Sequence, residues 1–140
     1  MKQVLITLSI LFISSLTYSQ CRGFVKQNCE PSLGVYIPTG QLNYTEISPG
    51  SKSEFMLTFY KGQDYRIVAC ADPILTNVHF TVRDANRTLI FDSLGQTDLE
   101  FDFKVATTQK LIISLIAEEL ENPSEEEIEG CVSAMVGFKY

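Results

Sequence analysis

The seven residues from Leu99 to Val105, "LEFDFKV", alternate apolar and charged side chains without a break. Only an extended strand puts Leu99, Phe101, Phe103 and Val105 on one side and Glu100, Asp102 and Lys104 on the other, because successive side chains of a strand point to opposite faces. The same period recurs along the chain. In "SEFMLTFY" (Ser53 to Tyr60), Phe55, Leu57 and Phe59 share a face. In "DYRIVACA" (Asp64 to Ala71), Tyr65, Ile67 and Ala69 stand opposite Val68 and Cys70. In "VHFTVRD", Val78, Phe80 and Val82 stand opposite His79, Thr81 and Arg83. "TLIFDS", "KLIISLIA" and "CVSAMVGFKY" complete the set, and turn residues such as Gly62, Asn86 and Gly95 separate the segments. Short strands at this spacing, without a long segment of helical period, predict an all-β fold: an antiparallel β-sandwich or jelly roll in one domain.

The first nineteen residues follow another logic. Lys2, the apolar run Val4 to Ile13, and the small or polar residues Ser14 to Ser19 have the three-part layout of a secretory signal peptide. Cleavage is expected near Ser19 or Gln20, giving a signal peptide over residues 1–19 and a β-sandwich domain over 20–140. A ten-residue apolar run falls short of the roughly 20 residues that a membrane-spanning helix needs, so no span is expected after cleavage. The whole chain carries a net charge of −6, from 11 Lys and Arg against 17 Asp and Glu; without Lys2 the balance is 10 against 17, or −7. An acidic surface argues against nucleic acid as a partner, since phosphate backbones are held by Lys and Arg.

Export places the four cysteines in an oxidising compartment, where bridges replace free thiols. Gln20 precedes Cys21, and a lipoprotein peptidase wants a small residue there, which argues against a lipid anchor on Cys21. The gaps between Cys21, Cys29, Cys70 and Cys131 are eight, 41 and 61 residues, unlike the close pairs of structural zinc sites. Two disulfides are therefore expected. Cys21 with Cys29 and Cys70 with Cys131 is the preferred connectivity, and Cys21 with Cys131 plus Cys29 with Cys70 is its main rival.

For chemistry, His79 is the one histidine, and it falls on the polar face of a strand with no recognisable nucleophile beside it. No G-x-S-x-G, H-E-x-x-H or glycine-rich phosphate loop occurs. No catalytic residue, cofactor or enzymatic activity is expected. Asp84, Asn86 and Asp92 are calcium candidates, weighed against a tight turn that would use the same oxygens for its own backbone. The segment "ENPSEEEIEG" (Glu121 to Gly130) is read as an acidic surface loop with one helical turn begun by Asn122 and Pro123. "NYT" and "NRT" fit the N-glycosylation pattern, and "DSL" (Asp92 to Leu94) matches a three-residue O-glycosylation signal of some Gram-negative envelopes.

The run "EFMLTFYKGQDYRIVACAD" with "VHFTVRDANRTLIFDS" and "FDFKVATTQKLIISL" resembles the bacterial pre-peptidase C-terminal domain and its jelly-roll relatives over residues 53–117. Gly62 with Tyr65, Asp84 with Asn86, and Phe101 to Val105 with Leu111 to Leu115 carry the likeness. It implies a jelly-roll fold and export. That family's domain is usually appended to a secreted hydrolase, whereas this chain carries the domain alone, and Cys70, Cys131 and the acidic insertion are not usual family features.

The expected function is a non-catalytic, secreted or periplasmic binding module that contacts an envelope protein or a surface glycan. Tyr36, Tyr44 and Tyr60 are the candidate contacts. The alternatives are a small carboxylate-dependent hydrolase and a calcium-stabilised accessory module.

Overall fold

The alternating segments pair into two antiparallel sheets in the computed structural model, which describes residues 16–122 and 127–140. Nine strands follow a helix, α1 (Leu16–Asn28), and a 3-10 turn (Glu30–Leu33): β1 (Ile37–Pro38), β2 (Asn43–Ile47), β3 (Lys52–Phe59), β4 (Asp64–Ala71), β5 (Val78–Asp84), β6 (Leu89–Asp92), β7 (Glu100–Lys104), β8 (Gln109–Ala117) and β9 (Gly130–Lys139). Sheet one has the order β1-β9-β4-β7, with β2 also on β9. Sheet two has the order β3-β8-β5-β6.

This order comes from one long ribbon, folded over on itself. The first half of the chain pairs antiparallel with the second as β2 with β9, β3 with β8, β4 with β7 and β5 with β6. Wrapping the ribbon brings β4 beside β9 and β5 beside β8, which completes both sheets. Strands β2 to β9 thus form an eight-stranded jelly roll.

The inward faces carry the alternating apolar residues. Phe59 on β3, Tyr65 and Ile67 on β4, Phe80 and Val82 on β5, Ile113 and Leu115 on β8, and Val132 to Val136 at alternate positions on β9 form one buried core. Phe91 on β6 stacks on Phe101 of β7 at 4.3 Å between ring centroids, closing the sandwich along the β6–β7 side. Pairs in this geometry contribute about 0.5–1.5 kcal/mol beyond their buried area.

A third layer was not expected. Residues read as the end of a signal and a small loop form α1, which lies over the outer face of β4 and β9. Cys21, Val25 and Cys29 recur every four residues, so they share one stripe of the helix and its end, and all three are buried against Val68, Met135 and Cys131. Strand β9 is therefore buried on both faces for most of its length. Gly137 makes room for the segment after the helix: a methyl group there would meet Tyr36 Cβ at 2.8 Å and Leu33 Cδ2 at 3.0 Å.

Both disulfides form, but the preferred connectivity is corrected. Cys21 pairs with Cys131 and Cys29 with Cys70, at Cα separations of 5.5 and 5.7 Å. The reason is geometric. Eight residues along a helix rise about 12 Å, whereas a bridge tolerates about 7 Å between Cα atoms, so Cys21 cannot reach Cys29. On the sheet, Cys70 is in register with Ser133, which leaves Cys131 on the diagonal. Diagonal neighbours lie about 7–8 Å apart. Each strand cysteine instead reaches up to the helix layer, Cys131 to the middle of α1 and Cys70 to Cys29 just past its end, clamping it onto the sheet at two points.

Candidate functional site

The β1–β3 side of the sandwich stays open. Among the described residues strand β3 pairs with β8 alone and ends sheet two, while β9 is bordered on that side by two short strands, β1 and β2, with a break between them. Pro38 has no N–H and ends β1, and Gly40 turns the chain with φ 85°. Between the edge of β3 and this broken border lies a groove of about 610 Å³, with Gln41, Met56, Tyr60, Gln63, Phe138 and Tyr140 among its lining residues. Among the described residues no charged side chain lines it. Met56, Tyr60 and Tyr140, which are 58 %, 61 % and 96 % exposed, put three large side chains around one opening.

The wall that carries Tyr60 is held by hydrogen bonds around the β3–β4 turn. The backbone N–H of Tyr60 donates to the Tyr65 hydroxyl at 2.9 Å, and that of Lys61 to Thr108 Oγ1 at 3.0 Å. The N–H of Gly62, at φ 84°, donates to the Val105 carbonyl at 2.9 Å. Only glycine enters that conformation without steric cost. A contact surface fixed in this way loses little conformational entropy when it binds.

The three tyrosines singled out from the sequence are not brought together. Tyr60 lines the groove. Tyr44 is half-buried beside α1. Tyr36 is only 7 % exposed, and two cations stand over its ring: the Arg66 guanidinium at 4.7 Å and the Lys139 ammonium at 4.9 Å from the centroid. Arg66 also forks onto Asp102 at 2.7 and 2.8 Å and donates to the Ser32 carbonyl at 3.2 Å. The hydrogen bonds from Arg66 hold the Asp102 carboxyl below the usual carboxylate range, and the same pairing raises Arg66. Tyr36 is thus part of a fastening between the 3-10 turn and sheet one. Sequence reasoning passed over Met56 and Tyr140; Met56 sits at a polar position of an alternating strand, and that mismatch was its available signal.

The oxygen-bearing turns serve their own backbones. Asp84 Oδ1 accepts the N–H groups of Asn86 and Thr88, both at 2.9 Å, and Asp92 Oδ1 accepts that of Leu94 at 2.9 Å. Among the described residues no group of three or more His, Cys, Asp or Glu stands close enough to hold a metal ion. The "DSL" motif is closed to modification in this fold, because Ser93 is 1 % exposed and its Oγ accepts the Phe80 N–H at 2.8 Å. Asn43 is buried as well, whereas Asn86 is exposed at the β5–β6 turn. The expected helical turn begun by Asn122 and Pro123 lies mostly outside the described residues. No described helix is long and apolar enough to cross a membrane.

Sheet two presents a second feature on its outer face. Lys52, Glu54, Arg83 and Arg87 surround a hollow of about 260 Å³, floored by Thr81 and Ser114. Arg87 reaches Glu54 with both terminal nitrogens, at 3.2 and 3.3 Å, and this hydrogen bonding holds the Glu54 carboxyl below its ordinary range.

No family model and no curated protein matches the chain. Among solved structures, a de novo designed double-stranded β-helix aligns at 19 % identity over 67 % of this chain and 97 % of its own, with a TM-score of 0.29. Aeromonas hydrophila PliG, a periplasmic lysozyme inhibitor of g-type lysozyme, aligns at 12 % identity over 71 % of this chain and 85 % of its own. With a TM-score of 0.52, what this chain shares with PliG is its β-sandwich fold.

Proposed function

We propose that this chain is an exported, non-catalytic binding module whose partner is a protein, and that it meets that partner at the groove beside β3. The observation that carries the reading is the pairing of an open strand edge with exposed Met56 and Tyr140 and with Tyr60 on a wall fixed by hydrogen bonds. A strand edge offers backbone donors and acceptors that an extended peptide segment can match, and the adjoining apolar side chains give such a contact its selectivity. The two buried bridges suit an oxidising compartment. Export rests on the signal peptide read over residues 1–19, and the address is the periplasm or the medium. The likeness of residues 53–117 to the pre-peptidase C-terminal domain remains a proposal on the same footing.

PliG supports a protein partner and suggests the first one to try. Purified residues 20–140 are titrated into a g-type lysozyme, following both calorimetric heat and the rate of cell-wall clearing. Binding should weaken at least tenfold in Met56→Lys and Tyr60→Ala, with melting temperature unchanged, since both side chains are largely exposed. If both variants bound like the parent, the groove would not be the contact surface. The uncharged lining of tyrosines, threonines and the amides of Gln41 and Gln63 also suits a neutral glycan. Binding to a neutral oligosaccharide such as chitotetraose in the absence of any protein would favour that second reading.

A further inference from the structure

Part of the outer face of sheet one lies under α1, but no described element covers the outer face of sheet two. On that open face the side chains are not scattered at random. Glu54, Ser114 and Thr81 form one row across β3, β8 and β5, in register as Glu54 opposite Ser114 and Ser114 opposite Thr81. The two hydroxyl residues are short, and at 3 % and 4 % exposure they lie at the bottom of a hollow. Lys52, Arg83 and Arg87 rise around it, three of the chain's 11 basic residues, with Glu54 as the single acid in the lining. A net charge of +2 on this hollow stands out in a molecule of net charge −6.

Two details show that the cluster is built rather than incidental. Arg87 holds a left-handed backbone, φ 66°, a conformation that side chains other than Gly, Asn and Asp seldom take. From there its guanidinium folds back 33 residues in sequence to Glu54, while its carbonyl accepts Arg83 Nη1 at 3.1 Å. The second detail is what Glu54 experiences. Its carboxylate takes the fork of Arg87, the Ser114 hydroxyl at 3.2 Å and the Lys52 ammonium at 3.8 Å, so the hollow already surrounds one carboxylate with the donors such a group requires. Arg83 forms no ion pair among the described residues.

We propose that this hollow is an anion site that takes a carboxylate group of a ligand, with Arg83 as its principal open donor and Glu54 as an internal competitor. The site is separate from the groove and does not depend on the protein partner proposed above. Glu54 keeps Lys52 and Arg87 gathered when the site is empty. An incoming carboxylate meets Arg83 directly and shares the other two cations, at the cost of repulsion from Glu54.

The test is an amide ¹H–¹⁵N titration of the purified protein at low ionic strength, with glutarate as the probe and inorganic phosphate as a parallel arm. Glutarate should shift resonances around Thr81, Arg83, Arg87 and Ser114. Glu54→Gln should tighten glutarate about fivefold, by removing a like charge a few ångströms away. Arg83→Gln should weaken it about fivefold or more. Arg83→Gln removes no ion pair and only an exposed hydrogen bond to the Arg87 carbonyl, and melting curves of both variants, recorded alongside, separate loss of binding from loosening of the β3–β5 surface. Shifts spread over the whole surface, or an affinity untouched by Arg83→Gln, would overturn the site. Phosphate binding more tightly than glutarate, with the same response to both variants, would overturn the carboxylate assignment.

Discussion

Removing the two bridges one at a time tests the three-layer arrangement most directly. In the chain-entropy picture a cross-link stabilises by restricting the unfolded chain, and the effect grows with the loop it closes. Cys29–Cys70 spans 41 residues, so replacing both by serine should cost about 4 kcal/mol. Cys21–Cys131 spans 110 residues, and the same model gives about 5 kcal/mol for it. One loop is nested inside the other, so the two costs do not add. Single domains are held by only about 5–15 kcal/mol, which means that loss of either pair should move the urea midpoint severely and loss of both should leave the chain unfolded. The chain has six tyrosines and no tryptophan, so unfolding is followed by tyrosine fluorescence together with far-ultraviolet dichroism. Peptide mapping without reductant accompanies the measurement. A peptide joining Cys21 to Cys29, or a loss below about 1 kcal/mol for either double replacement, would refute the helix clamp.

Three smaller predictions follow from individual contacts. Gly137→Ala should destabilise by about 1–3 kcal/mol, read from the same urea curves, because its methyl group would meet Tyr36 and Leu33 at 3.0 Å or less. Ser93→Ala leaves the buried Phe80 N–H without its acceptor and should cost about 1–3 kcal/mol; intact mass of the protein from its native envelope should show no glycan on Ser93. The Asp102 carboxyl titrates lower in the folded chain than in the unfolded one, so its pairing with Arg66 contributes fully above the ordinary aspartate range and is lost as pH falls through the lowered value. Asp102→Asn should therefore flatten the acid side of the stability profile. Its effect at neutral pH should be at most about 1 kcal/mol, because Asp102 is nearly half exposed and solvent screens the pair.

The sandwich was legible because its inner faces obey a period of two. Phe101 and Phe103 on β7, like Phe55 to Phe59 on β3, point inward where the alternation put them, and Asp84 closes its turn as its residue type suggests. The groove was not legible. It arises where β1 stops at Pro38 while β3 continues, a mismatch of lengths between strands distant in sequence, and Tyr140 and Met56 meet there only after the ribbon has wrapped. The hollow on sheet two has the same origin, since Glu54, Thr81, Arg87 and Ser114 come from separate strands and a turn.

The helix layer is the more instructive omission, because the strands it covers did carry its trace. A strand at an open face of an antiparallel sheet should have one wet side. On β4, Val68 and Cys70 are apolar opposite the equally apolar Ile67 and Ala69, and the first eight residues of β9, "GCVSAMVG", carry no charge. Two adjacent stretches with no wet side, residues 67–71 of β4 and the first eight residues of β9, require a cover, and the cover had to come from a segment not already spent in the sheets. Residues 20–36 were the uncommitted candidates, and Cys21, Val25 and Cys29 supply a single apolar stripe at a spacing of four. That stripe is too narrow to hold a helix of 13 residues by burial alone, since helices of this length are marginal in water. The bridges supply what the stripe lacks. The connectivity and the third layer are thus one inference: once β4 and β9 need a cover, the cysteines on their outer faces must reach up to it rather than to each other.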